Sequence, residues 1–180
     1  MDASRDADRK MLVEMPKEKL VALHLVQMRN LWAVDGLYFL GIEEKFGTQS
    51  ATSIDARVWE VMGKLEARSL RETLGVSGKT IPELMKALSL SSWSLDLEHK
   101  AIEVEEKHAV FRNKKCRVQL TRLEKGLPEF PCKQVRLGYL RSFVRELNPE
   151  MEVRCVMCPP DDHPDDVWCE WEFCDRPGGD

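Results

Sequence analysis

The sequence predicts an α+β fold: N-terminal helices, then a small antiparallel sheet of two strand pairs with helices packed on one face. Three observations carry this. Apolar residues recur at three-and-four spacing through the first half. The period drops to two after residue 91. All six cysteines fall at or after Cys116, on predicted strands and helix starts.

Taken in order, residues 1–15 are polar and read as a mobile N-terminus. Pro16 opens a long helix from Lys17 to about Phe46, with proline acceptable in the first turn. Leu20, Leu23, Gln27/Met28, Leu31, Val34 and Tyr38 set its helical period. From Leu31 to Ile42 the helix is apolar nearly all round, which predicts burial on several sides. A second helix runs from about Ala51 to Leu74, striped by Ile54, Val58, Val61/Met62, Leu65 and Leu70, and Gly75 ends it. Thr80-Ile-Pro-Glu83 has the form of a capping box before a short helix to about Leu88.

Trp93, Leu95 and Leu97 then alternate with polar residues, as do Ile102 and Val104. These read as two strands turning near Glu98 to Lys100. Helices are expected over Cys116–Glu124 and Cys132–Leu147, with Asn148-Pro149 breaking the second. Met151–Cys158 and Val167–Cys174 read as strands joined by a Pro/Asp loop. The expected organisation is one domain over 16–174, with a helical half (16–90), a Cys-rich half (91–174) and a loose tail from 175 to 180.

Composition restricts the function. A net charge of −4 supplies no basic face, so nucleic acid and anionic membrane are not expected partners. The first ten residues lack the apolar core of a signal peptide, and no window approaches the roughly 18 apolar residues of a membrane span. A cytoplasmic protein is expected. Thiols there stay reduced, so clustered cysteines point to metal or catalysis rather than to disulfides.

Cys155-Val-Met-Cys158 is the paired motif. Pro159 and Pro160 follow it and deny it the helix N-terminus that a thioredoxin-type thiol requires. A hairpin closing the Pro/Asp loop sets Cys158 opposite Cys169. By strict alternation Cys155 falls on the other face, unless a bulge turns it inward. Cys132 begins a helix, whose dipole favours a thiolate. Four thiolates from Cys132, Cys155, Cys158 and Cys169 satisfy the tetrahedral demand of structural zinc. An iron–sulfur cluster would use the same residues, though ferredoxin-like spacing is absent. The competing reading makes several of them ordinary buried cysteines, Cys116 and Cys174 above all.

Gly138-Tyr-Leu-Arg-Ser-Phe143, the strand ending in Cys158, and Cys169-Glu-Trp-Glu-Phe173 together resemble the end of the four-vinyl reductase domain, a small-molecule-binding domain also used as a sensor in phenol-responsive regulators. The resemblance covers roughly residues 93–173. It implies a zinc held at positions matching Cys132, Cys155, Cys158 and Cys169, with Cys155 replacing a glutamate. Cys116, with Leu-Pro-Glu and Cys132 after it, is similar to the L-2-amino-thiazoline-4-carboxylic acid hydrolase family. The first half, with Trp32-Ala-Val-Asp-Gly36, resembles an uncharacterised bacterial and archaeal family.

Two function classes follow from these features. The first is a zinc-clamped module holding a small organic ligand near Trp32, Asp35, Gly36, Phe39 and Trp59. The second is a metal-dependent hydrolase of a small sulfur- or nitrogen-containing metabolite. Asp35 and Glu43, set in the most apolar helix, are expected to pair with Arg57 or Arg68 unless they line that ligand cavity. His163 reads as part of a solvated loop, and His24 and His108 as structural histidines. The apolar stretch Leu31–Ile42 exceeds what one small sheet can cover, so a homodimer through this helix is expected.

Overall fold

Glycine and proline punctuation, local caps and apolar stripes set the element order in the computed structural model, which describes residues 3–176. The first element, α1 (Ala3–Glu14), falls within the stretch expected to be a mobile N-terminus. Its Ala, Arg, Lys, Met and Leu residues are good helix formers, and Lys10 and Glu14 make an i,i+4 ion pair. Helix α2 is Lys17–Phe46 and α3 is Thr48–Leu74, ending where Gly75 takes the left-handed conformation (φ 67°, ψ 23°). The chain divides into two compact units, Met1–Leu37 and Tyr38–Asp180, with the boundary inside α2.

In the first unit, Trp32 and Met28 are buried, while Leu25, Val26, Leu31, Val34 and Leu37 are exposed. Tyr38, the first residue of the second unit, is also exposed. Burial of the Leu31–Ile42 segment on several sides is therefore not what the chain does. Apolarity marks a surface that wants a partner, without saying that the same chain supplies one.

In the second unit, Thr80 caps α4 (Ile81–Ser89) by accepting the Glu83 N–H at 3.3 Å. The Glu83 carboxylate reaches back one residue further than a simple box, to the Lys79 N–H at 2.9 Å and the Ser77 hydroxyl. Residues 92–96 are a short helix, α5 (Ser92–Asp96), and not the expected strand. The reason is tertiary. The Ser91 hydroxyl accepts the Ser94 N–H at 3.2 Å, and Glu66 of α3 accepts the Ser92 N–H at 2.5 Å, which fixes a helical start. Five residues are too few for period two to be told from a single helical turn.

Strands β1 (Lys100–Val104), β2 (His108–Asn113), β3 (Met151–Met157) and β4 (Cys169–Asp175) form one antiparallel sheet in the order β1-β2-β4-β3. Helices α6 (Arg117–Glu124) and α7 (Lys133–Leu147) separate the two hairpins in sequence. The sheet is two-sided. Ala109, Phe111, Asn113, Met151, Val153, Cys169, Trp171 and Phe173 are buried on one face. The other carries Arg112 bonded to Glu170 and Glu103, each at 2.6 Å, with His108 near Glu172 and Arg154 paired to Glu152. Alternation of this kind is what a sheet with one packed and one solvated face requires.

Helices α3 and α7 pack closely, and glycine allows it. A Cβ at Gly63 would lie 2.3 Å from the Tyr139 carbonyl oxygen, so only glycine fits between these backbones. Polar and aromatic groups meet between them. The Tyr139 hydroxyl donates to Glu66 at 2.6 Å, and the Arg136 guanidinium lies over the rings of Trp93 (4.8 Å), Tyr139 (5.0 Å) and Trp59 (5.6 Å).

Candidate metal centre

Pairing within the sheet brings the expected thiols to one side. In the β3–β4 ladder Val153 faces Phe173 and Cys155 faces Trp171, but Met157 faces Glu170, so β3 gains one residue between Cys155 and Met157. That bulge resolves the alternation problem. Directly paired residues share a face, so Cys155 sits with Trp171 on the core side. Carried one residue on, the shifted register sets Cys158 opposite Cys169, again on the core side. Cys174, opposite Glu152 and His108, belongs to the charged face and stays apart, with its thiol 3.8 Å from Glu152.

Cys132 arrives from the start of α7. Its carbonyl accepts the Arg136 N–H at 2.9 Å, and the adjacent Lys133 N–H donates 2.8 Å to the carbonyl of Pro159. This backbone bond ties the helix start to the residue that follows Cys158. The Cys158 thiol is buried. The neighbouring thiols of Cys132 and Cys169, with burial behind them, push its ionisation well above the ordinary thiol range. Burial chiefly, opposed by nearby Lys133, raises Cys155 to about 11. Lys133 is held in turn by Asp161, at 2.7 Å.

Cys116, at the N-terminus of α6, belongs to the same neighbourhood. Burial raises its thiol to about 12, with Cys132 and Cys169 adding to the rise through their charge. The sequence reading set Cys116 aside as a buried cysteine. The signal that brings it in is the pairing of Asn113 with Cys169, three residues upstream, which no local pattern announces.

All six cysteines are free thiols. Among the described residues, no group of three His, Cys, Asp or Glu side chains is already arranged to hold a metal ion. Soft, converging sulfurs are still the donor set that zinc selects, and binding would release their protons. Tetrahedral bonds of about 2.3 Å place sulfurs roughly 3.8 Å apart, within the reach of rotamer changes for neighbouring thiols.

The other expected site residues lie elsewhere. Phe39 meets Phe130 edge-on at 4.7 Å, under the Arg122 guanidinium, and Trp59 meets Tyr139 at 5.8 Å. Trp32, Asp35 and Gly36 belong to the first unit, and a Cβ built on Gly36 meets no heavy atom within 4 Å. Glu43 pairs neither with Arg57 nor with Arg68. It takes Arg122 of α6 in a two-pronged bond of 2.8 and 2.9 Å, while Arg68 and Arg71 bind Glu146. His163 packs against Trp168 with ring centroids 4.6 Å apart and planes tilted by 43°, and it approaches Glu129 at 3.6 Å. Two open clefts, of about 720 and 380 Å³, lie along α7 and are lined largely by charged residues such as Lys64, Arg141 and Arg145.

A mixed sheet-and-helix unit with five thiols gathered at one end of the sheet is thus the class of protein the fold and site define. Residues 13–175 match the model of a family of unknown function, DUF6125, and the chain belongs to that family. No curated protein and no solved structure matches it. No helix among the described residues is long and apolar enough to cross a membrane.

Proposed function

We propose that the chain is a zinc-binding module in which Cys132, Cys155, Cys158 and Cys169 clamp the start of α7 to the end of the β3–β4 hairpin. One observation carries this reading: the bulge after Cys155 brings Cys158 onto the same face of the sheet as Cys155 and Cys169, and the Lys133 N–H bonded to the Pro159 carbonyl draws the start of α7, with Cys132, to that end of β3. A cluster of buried thiols gains little as thiols, because S–H groups are weak hydrogen-bonding partners. As zinc ligands they would cross-link segments that the Lys133–Pro159 backbone bond already joins. Six free thiols suit a reducing compartment, the cytoplasm.

Four thiolates close the coordination sphere, which favours a structural site over the hydrolase alternative, where one position must stay open for water. The test is thermal unfolding with and without a strong chelator. Stripping zinc should lower the melting temperature, and Cys158→Ser should abolish both the metal and that difference. A melting temperature indifferent to chelator, in protein that carries zinc, would remove the structural role.

Homodimerisation is supported by exposed Ile54, Val58, Val61 and Leu65 on α3, spaced four, three and four apart as in a coiled-coil seam, together with the exposed apolar residues of α2.

A further inference from the structure

The pocket holds one thiol more than a tetrahedral ion uses. We propose that Cys116 is a fifth metal-competent ligand of this centre, sharing the fourth coordination position with Cys155 around a constant core of Cys132, Cys158 and Cys169. The inference rests on the zinc reading above and extends it to a residue outside that set.

The geometry of three connections supports it. Asn113 at the end of β2 pairs with Cys169, its carbonyl accepts the Trp168 N–H at 2.8 Å, and its side chain accepts the Lys115 N–H at 3.3 Å. The turn leading to Cys116 is thereby pinned beside Cys169. From the other side, buried Gln119 binds the Phe130 backbone twice, donating to its carbonyl at 2.8 Å and accepting its N–H at 2.7 Å. The first turn of α6 is therefore fastened two residues before Cys132. Cys116 begins that turn, its carbonyl accepting the Leu120 N–H at 3.0 Å, and so lies on a segment fastened at one end beside Cys169 and at the other two residues before Cys132.

Cys155 approaches the same pair from β3, with the Lys133–Asp161 ion pair nearby. Cys158 lies opposite Cys169 in the shifted register, and the Lys133–Pro159 backbone bond draws it toward Cys132. These three thiols come from converging backbone segments, and Cys116 and Cys155 flank them from different elements. Zinc has no d-electron geometric preference, so coordination chemistry excludes neither flanking sulfur from the fourth position. Each exchange forms one Zn–S bond and breaks one, and a single proton passes from the incoming thiol to the departing thiolate.

The test compares Cys116→Ser, Cys155→Ser and the double variant with wild type. It measures zinc per chain after purification without chelator, zinc affinity by chelator competition, and the sulfur-to-metal charge-transfer band after cobalt(II) substitution. Each single variant should keep one ion and a four-sulfur cobalt spectrum, with affinity falling less than about tenfold. The double variant should fall by more than about 100-fold, past the usual range for losing only a supporting partner. Cys116→Ala repeats the comparison without a hydroxyl, and circular dichroism of the metal-free variants checks that they fold. Loss of the metal from either single variant would overturn the sharing. Wild-type affinity in Cys116→Ser, with metal lost from Cys155→Ser, would make Cys116 a bystander and leave the zinc reading intact. A wild-type chain that takes up no zinc or cobalt would overturn both.

Discussion

Replacing Gly63 by alanine puts one methyl group where α3 and α7 leave no room. The new Cβ would stand 2.3 Å from the Tyr139 carbonyl oxygen, 3.1 Å from its carbon and 3.2 Å from the Phe143 nitrogen. A close carbon–oxygen contact is about 3.3 Å, so the helices must part by roughly 1 Å. The obstacle is main chain inside a helix, and it cannot swing aside as a long side chain would. Overpacking of this kind costs up to about 3 kcal/mol, and the better helix propensity of alanine returns about 1 kcal/mol. The net loss of about 2 kcal/mol corresponds to a melting temperature lower by roughly 4–8 °C in a chain of this size.

Gly41→Ala is the matched control. It is also in a helix, and its Cβ meets nothing within 4 Å. It should gain about 0.5–1 kcal/mol from propensity alone and melt slightly higher. Calorimetry of the two variants beside wild type decides the matter by sign. A Gly63→Ala chain as stable as wild type would show that the close α3–α7 approach does not exist in solution.

The Glu43–Arg122 pair predicts a pH dependence. Arg122 holds the Glu43 carboxyl below its ordinary value of 4.5, so the pair's contribution is present above that value and is lost as pH falls through the lower native one. Glu43→Gln should cost about 2–3 kcal/mol at neutral pH by leaving Arg122 half-satisfied, and the difference from wild type in urea titrations should shrink below pH 4.5. A difference that grows on acidification would contradict the pairing. The exposed apolar residues of α2 and α3 predict a dimer in sedimentation at micromolar concentration, reduced to monomer by Val58→Glu with Val61→Lys. A monomeric wild type would remove that proposal.

Much of the fold was legible because its determinants are local. The Lys17–Phe46 helix, the glycine stop after Leu74 and the threonine cap at Thr80 follow from residues within a turn of each other. Elements set from a distance were not legible. Helix α5 depends on Glu66, 26 residues upstream, and Glu43 found its partner 79 residues away. The four expected thiols could be chosen from helix starts and a hairpin. The bulge that Cys155 requires was stated only as a condition, since a single extra residue leaves no mark in Cys-Val-Met-Cys. Cys116 was passed over for the same reason, because only the β2–β4 pairing reveals its neighbours. Apolar periodicity on α2, in turn, reports a preference for burial without naming what does the burying.

The central claim is most directly tested by X-ray absorption at the zinc edge on protein purified without chelator, with zinc counted per chain. The account predicts one zinc per chain bound by four sulfurs at about 2.3 Å, with no nitrogen or oxygen neighbour. Protein that folds normally with negligible zinc, or zinc held mainly by nitrogen and oxygen, would contradict it.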